Sequence, residues 1–207
     1  MNQPDKAESA YLEALNILES EKKSSSTDSK SLGNEMALTL NELSSFYFSR
    51  DKFDKSIEYR HKALEVMKQT LGEEHSAIGD VCNNLAVTYY KKNELDKSIE
   101  YAEKALEISR KSLGPLNKHT LNIIENLKRI YLQTNHIDKA LKLTREQYDS
   151  LPEKDHKDPK KETELLNEIG CMLVRLNDNG FEEPLKKAVR IAETTPNYNL
   201  QTVFLLR

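Results

Sequence analysis

Apolar residues recur along this chain with two nested periods, one of 42 residues and, inside it, one of three to four. Leu43, Leu85, Leu127 and Ile169 stand 42 residues apart, and Tyr47, Tyr89, Tyr131 and Leu173 repeat the step four residues later. Leu40, Cys82, Ile124 and Leu166 form a third column three residues earlier. Within one unit the columns fall at i, i+3 and i+7, which gathers them on one stripe of an α-helix. Self-similarity at this period marks stacked copies of one supersecondary unit.

Each unit carries a second amphipathic segment. Asp54, Asp96 and Asp138 open the near-copies DKSIEY, DKSIEY and DKALKL, and stripes through Ile57, Ala63 and Leu64, or Ile99, Ala105 and Leu106, keep helical spacing. The unit is therefore a helical hairpin. Neither helix buries its stripe alone, so hairpins must stack, with Ala63 and Ala105 small enough to let two helix axes approach. The pattern predicts an all-α fold, a right-handed α-solenoid of antiparallel helix hairpins.

The 207 residues read as a single array of about four and a half hairpins. Residues 5–22 align with a second helix when Asp5 is set on Asp54 and Ala14 on Ala63, a spacing of 49, so they form an orphan second helix. The seven extra residues fall in a Ser-rich stretch expected to be a loop at 23–33, where Ser25 and Thr27 beside Asp28 are candidate phosphoacceptors. Repeats are expected at 34–70, 74–113 and 117–150, then a degenerate fourth at 160–194. The fourth gains about two residues in NDNGFEEPLKKA and requires Pro184 in a first helical turn. Two prolines between Leu151 and Glu162 should interrupt the flanking helices and make a modest hinge. Residues 197–207 start like a further first helix. Their apolar Val203, Phe204, Leu205 and Leu206 are expected to be continued by more chain, covered by a partner or used in self-association, because solenoids normally end in a polar cap.

Composition bears on function more than on fold. Charged residues make up 31% and hydrophobic ones 37%, and Lys and Arg are interleaved with Asp and Glu, so no basic stripe recommends a nucleic-acid partner. No apolar run of membrane-spanning length occurs, and MNQPDKAESA lacks the pattern of a secretory signal; a cytoplasmic chain without a membrane partner is expected. Cys82 and Cys171 occupy different columns and read as ordinary reduced thiols. There is no HExxH, no Gly-rich phosphate loop, no GxSxG and no Cys/His pairing at metal spacing. The five histidines lack the second group that a His mechanism needs. The expectation is a protein that is not an enzyme, with no catalytic residues, no metal and no cofactor.

The stretch Leu71–Leu106, LGEEHSAIGDVCNNLAVTYYKKNELDKSIEYAEKAL, resembles a tetratricopeptide repeat of the 42-residue, kinesin-light-chain-like kind. The residues that carry the resemblance are the Leu-Gly turn followed by His75, the entry Asn83-Asn84-Leu85-Ala86, Tyr89 closing the first helix, and Asp96-Lys97-Ser98 opening the second. It extends over residues 35–148 and departs where Glu125 stands for Asn83, Lys128 for Ala86 and Gln147 for Ala105. The pattern does not match the carboxylate clamp by which other tetratricopeptide domains grip tails ending in EEVD.

The resemblance implies a tetratricopeptide superhelix whose concave face is lined by the first helices. Residues two before and two after each column Leu would then face inward. This assigns a peptide-binding groove to Asn41, Asn83, Glu125 and Asn167, and to Ser45, Val87, Arg129 and Cys171. Further along come Phe48, Tyr90, Leu132 and Val174, then Ser49, Lys91, Gln133 and Arg175. An Asn carboxamide both donates and accepts, so it can pair with the backbone of an extended ligand whatever its sequence. The apolar members would supply pockets, and Lys91, Arg129 and Arg175 would attract acidic side chains. Tyr47, Tyr89 and Tyr131 belong to the hairpin core in the same pattern. The implied function is a protein–protein interaction module, an adaptor or scaffold that holds a linear peptide with hydrophobic and acidic residues. The alternative is a structural subunit that docks through its ends or convex helices, with the groove idle or filled by its own chain and the Asn residues solvating it or bonding between neighbouring helices.

Overall fold

The structure, a computed structural model, describes residues 3–24, 29–151 and 158–195. Among the described residues it is built of α1 Gln3–Ser24, α2 Ser29–Phe48, α3 Phe53–Leu71, α4 Ser76–Lys91, α5 Leu95–Leu113, α6 Lys118–Gln133, α7 Ile137–Asp149, α8 Pro159–Arg175 and α9 Glu182–Thr194, with one 3₁₀ turn at Asn179–Phe181. This is an all-α repeat solenoid. Two compact units divide inside α6, after Asn126. In the first, α1 packs on α2, α2 on α3, α3 on α4 and α4 on α5. In the second, α7 packs on α8 and α8 on α9, with the 3₁₀ turn against both of the last two.

The turns inside the hairpins keep the 42-residue step as faithfully as the apolar columns do. Asp51, Asn93, Asn135 and Asn177 have left-handed φ values of 55°, 62°, 60° and 56°. In the next position Lys52, Glu94, His136 and Asp178 donate backbone N–H to the carbonyls of Tyr47, Tyr89, Tyr131 and Leu173 at 3.0, 2.9, 2.8 and 2.9 Å. Each first helix thus ends in a closure that satisfies a terminal carbonyl, and Asn or Asp supplies the backbone conformation at little cost. Between hairpins, Gly72 and Gly114 take φ of 87° and 90°. His75 Nδ1 then accepts from Ala77 N–H at 3.2 Å, and Asn117 Oδ1 from His119 N–H at 2.9 Å. His75 is therefore a helix cap.

The core follows the predicted columns. Leu43, Leu85, Leu127 and Ile169 are buried, as are Ala63 and Ala105 where helices meet closely. Ser44 and Ser56 bond across the first hairpin at 3.0 Å, and Ser98 Oγ donates to the Ala86 carbonyl at 2.7 Å. Tyr47 stacks on Tyr59 at 5.4 Å and Tyr89 on Tyr101 at 5.5 Å, again one repeat apart. The lysines of the Asp-Lys pairs, Lys55, Lys97 and Lys139, place Nζ 4.8, 5.2 and 5.3 Å from the ring centroids of Tyr47, Tyr89 and Tyr131. That position is a cation–π contact closing each hairpin.

Two expectations change. The loop expected at 23–33 is narrower, because α1 runs to Ser24 and α2 starts at Ser29. Serine costs only about 0.5 kcal/mol per helical position, and Gly33 serves close approach rather than a turn: a Cβ there would lie 2.3 Å from Thr70 Cγ2 of α3. In the fourth repeat α9 begins at Glu182. The 42-residue step from Ile137 places that start at 179, so the insertion is three residues, taken up by the 3₁₀ turn, and Pro184 lies in the first turn of α9. Ser25, Thr27, Asp28, most of the expected hinge and the whole of 197–207 lie outside the described residues.

Candidate functional site

The first-helix face carries side chains that the core does not use. In the first unit Asn41, Ser45 and Phe48 on α2, and Asn83, Val87 and Tyr90 on α4, are half-buried, while Lys91 and Glu125 are exposed. In the second unit Leu132, Asn167 and Cys171 are half-buried, and Arg129, Gln133, Val174 and Arg175 are exposed. Their neighbours in the apolar columns are buried, so the helical register separates a core stripe from this second stripe within each helix.

The asparagines differ in what they touch. Asn83 Oδ1 accepts from Asn126 Nδ2 at 3.2 Å, an amide rung between α4 and α6. Asn41 Oδ1 and Asn167 Oδ1, at equivalent repeat positions in different units, are buried without a hydrogen-bond partner, and so is Asn34 Oδ1, seven residues before Asn41 on α2. A buried carbonyl left without a donor costs on the order of 1–3 kcal/mol. Ser45 is occupied locally, its hydroxyl donating to the Asn41 carbonyl at 3.0 Å. The Phe48 ring packs on Phe53 at 5.7 Å.

Burial pushes the Cys82 thiol up to about 11 and raises Cys171 as well, the opposite of an activated nucleophile. His61 Nε2 lies 3.1 Å from the Tyr89 hydroxyl and packs edge-on to Tyr101, and burial lowers its pKa. Among the described residues no group of three His, Cys, Asp or Glu is placed to hold a metal, and no helix is long and apolar enough to cross a membrane.

Two buried cations were not part of the predicted site. Lys128 of α6 is buried, and its Nζ donates to Gln147 Oε1 at 3.1 Å and to Glu168 Oε2 at 2.6 Å. The two departures from the repeat pattern, Lys128 for Ala86 and Gln147 for Ala105, are thus partners. Arg60 of α3 is only 4% exposed. It stands where the next repeats have Ala102 and Thr144, a difference visible in the 42-residue register.

Residues 35–102 and 80–151 match the family model of the tetratricopeptide repeat and together span more than half of the chain. The chain belongs to the tetratricopeptide repeat family. The fold of this family is generally a non-catalytic protein-interaction fold, and the array described above is a protein-interaction repeat module. Similar solved structures include BtubC (BKLC) from P. vanneervenii, 21% identical with a TM-score of 0.67, covering 96% of this chain and 76% of that one. A Podosopora anserina putative kinesin light chain with nearly identical TPR-like repeats is 17% identical with a TM-score of 0.63, covering 95% and 100%. The apo form of RapI is 18% identical with a TM-score of 0.63, covering 95% of this chain and 51% of that one. At these identities the likeness is one of fold. No curated protein matches the chain by sequence.

Proposed function

We propose that this tetratricopeptide module binds an extended segment of a partner protein along its first-helix face. The observation that carries the proposal is the pair of buried, unpartnered carboxamide oxygens at Asn41 and Asn167. They recur at one repeat position in two separate units, and rotation of the carboxamide toward the half-buried face would let it accept a ligand backbone N–H. Phe48, Val87, Tyr90 and Leu132 supply half-buried apolar contacts, and Lys91, Arg129 and Arg175 make the rim attractive to acidic side chains. The proposed contact residues are Asn41, Ser45, Phe48, Asn83, Val87, Tyr90, Lys91 and Glu125 in the first unit and Arg129, Leu132, Gln133, Asn167, Cys171 and Arg175 in the second. Asn83 would act through the rung it shares with Asn126.

The test compares partner capture from native lysate by the wild type and by the triple variant Asn41→Ala, Asn83→Ala, Asn167→Ala, after circular dichroism has shown both folded. Loss of a specific partner supports the proposal, whereas equal capture rejects it. Exposed Leu12 and Ile17 on α1 favour the second reading, a structural subunit docking through its end. Under that reading a charge at Ile17 removes the partner and the triple variant retains it.

A further inference from the structure

Arg60 is a buried cation to which the fold gives no counter-charge. Its hydrogen bonds run through Nη1, which donates to the Asn84 carbonyl at 2.9 Å and to Thr88 Oγ1, both on α4. Nε is buried and has no acceptor. The Phe48 ring of α2 lies beside it, its centroid 5.4 Å from the guanidinium carbon. Among the described residues no carboxylate pairs with Arg60, and burial alone brings its pKa down to about 10, so the group stays charged at neutral pH. Lys128 shows the contrast: where this fold buries a cation for structure, it sets a glutamate 2.6 Å away.

An unmatched buried charge costs several kcal/mol, and replacing such a group by an apolar one of similar volume is often neutral or stabilising. The neighbouring repeats manage with Ala102 and Thr144 at this position. The location gives the arginine a use. Phe48 belongs to the α2 part of the recognition face, and Asn84 and Thr88 flank Val87 on α4. The guanidinium therefore touches both α2, at Phe48, and α4, at Asn84 and Thr88. Its protein bonds occupy one side of the planar fork and leave the Nε edge, which is the edge that receives a carboxylate in bidentate fashion.

We propose that Arg60 forms an anion subsite in the floor of the recognition face, where its Nε edge takes the carboxylate of an acidic residue in the bound peptide and Phe48 walls the site. The subsite rests on the groove reading above. It is separate from the rim charges Lys91, Arg129 and Arg175, because a desolvated guanidinium discriminates by geometry and an exposed one by field alone.

The test uses a phage-displayed library of random dodecapeptides, selected in parallel on the wild type, Arg60→Met, Arg60→Lys and the Asn41, Asn83, Asn167 triple Ala variant, each checked for folding by circular dichroism. Wild-type selectants are expected to hold Asp or Glu at one fixed position. Changing that residue to Asn or Gln should weaken binding to the wild type by about tenfold or more, yet by less than about twofold to Arg60→Met. Arg60→Lys should keep the charge preference and lose most of the affinity. In the wild type the Arg60 Nε–Hε resonance should shift on adding the acidic peptide and stay in place with its Asn or Gln counterpart, a readout independent of any variant. If amidation of the peptide C-terminus, rather than the internal acid, removes the Arg60-dependent affinity, the carboxylate comes from the chain end. Selectants with no acidic position, or an acidic preference unchanged in Arg60→Met, overturn the subsite and leave the groove intact. Failure of the wild type to enrich any peptide overturns both.

Discussion

Converting the third hairpin back to the pattern of the second isolates one polar contact. Lys128 and Gln147 stand where the preceding repeat has Ala86 and Ala105, and Lys128 Nζ donates to Gln147 Oε1 at 3.1 Å. Both residues are buried, at 4% and 6% exposure, whereas Glu168, the second acceptor, keeps 40% of its side chain exposed. Lys128→Ala deprives a buried carboxamide of a charged donor and opens space along the lost stem, which should cost about 2–4 kcal/mol. Gln147→Ala leaves the ammonium with Glu168 and should cost about 1–2 kcal/mol. In the double variant the broken contact is counted once. Its cost should fall short of the sum of the single costs by about 1–2 kcal/mol. Glu168→Gln, acting on a half-exposed partner, should cost no more than about 1 kcal/mol. Urea unfolding followed by circular dichroism measures all four, with unchanged m-values showing that the denatured state is comparable. Additivity within about 0.5 kcal/mol would refute the pairing.

Other expected outcomes follow from single positions. Leu85→Ala, in the fully buried column, should cost roughly 2–5 kcal/mol in urea unfolding and loosen both adjoining hairpins, seen as faster amide exchange in α4 and α5. Asn93→Ala keeps the β-carbon at a φ of 62° but removes the carboxamide that eases this conformation and should cost about 1 kcal/mol, while Asn93→Gly should be near neutral. His61 is held below its ordinary pKa by burial. It stays neutral when folded while the unfolded chain takes up a proton near pH 6.5, so its contribution is complete above that pH and declines as the pH falls toward the folded value. The urea midpoint of the wild type should therefore drop more than that of His61→Gln between pH 7.5 and pH 5.5, and parallel drops would contradict the burial argument.

The fold was legible because its information is periodic. Leu43, Leu85 and Leu127 each lie one step apart and are each buried, so the stripe predicts helix, hairpin and stacking together. The Asp51, Asn93, Asn135 and Asn177 column follows the same step, but polar turn residues give no amphipathic signal, and only the backbone reveals their shared left-handed conformation. The constraint on Gly33 was not legible for a related reason: it comes from Thr70 on another helix. A second stripe beside the core could be placed by register, since residues two away from a buried column lie at its edge; its use in recognition is the proposal made above. What each residue touches there was not legible. That Asn83 spends its oxygen on Asn126 while Asn41 and Asn167 keep theirs unpartnered depends on the approach of neighbouring helices. Arg60 and Lys128 were visible as breaks in the register, yet nothing along the chain says that one has a glutamate beside it and the other none.

Photo-crosslinking tests the central claim most directly. A photoreactive residue placed at Val87, on the first-helix face, and in a second protein at exposed Glu107 of α5, would report which surface the partner covers. Peptides from a captured partner should be joined through Val87, compete with a peptide selected on the wild type, and be absent at Glu107. Adducts at Glu107 with none at Val87 would contradict recognition by the first-helix face.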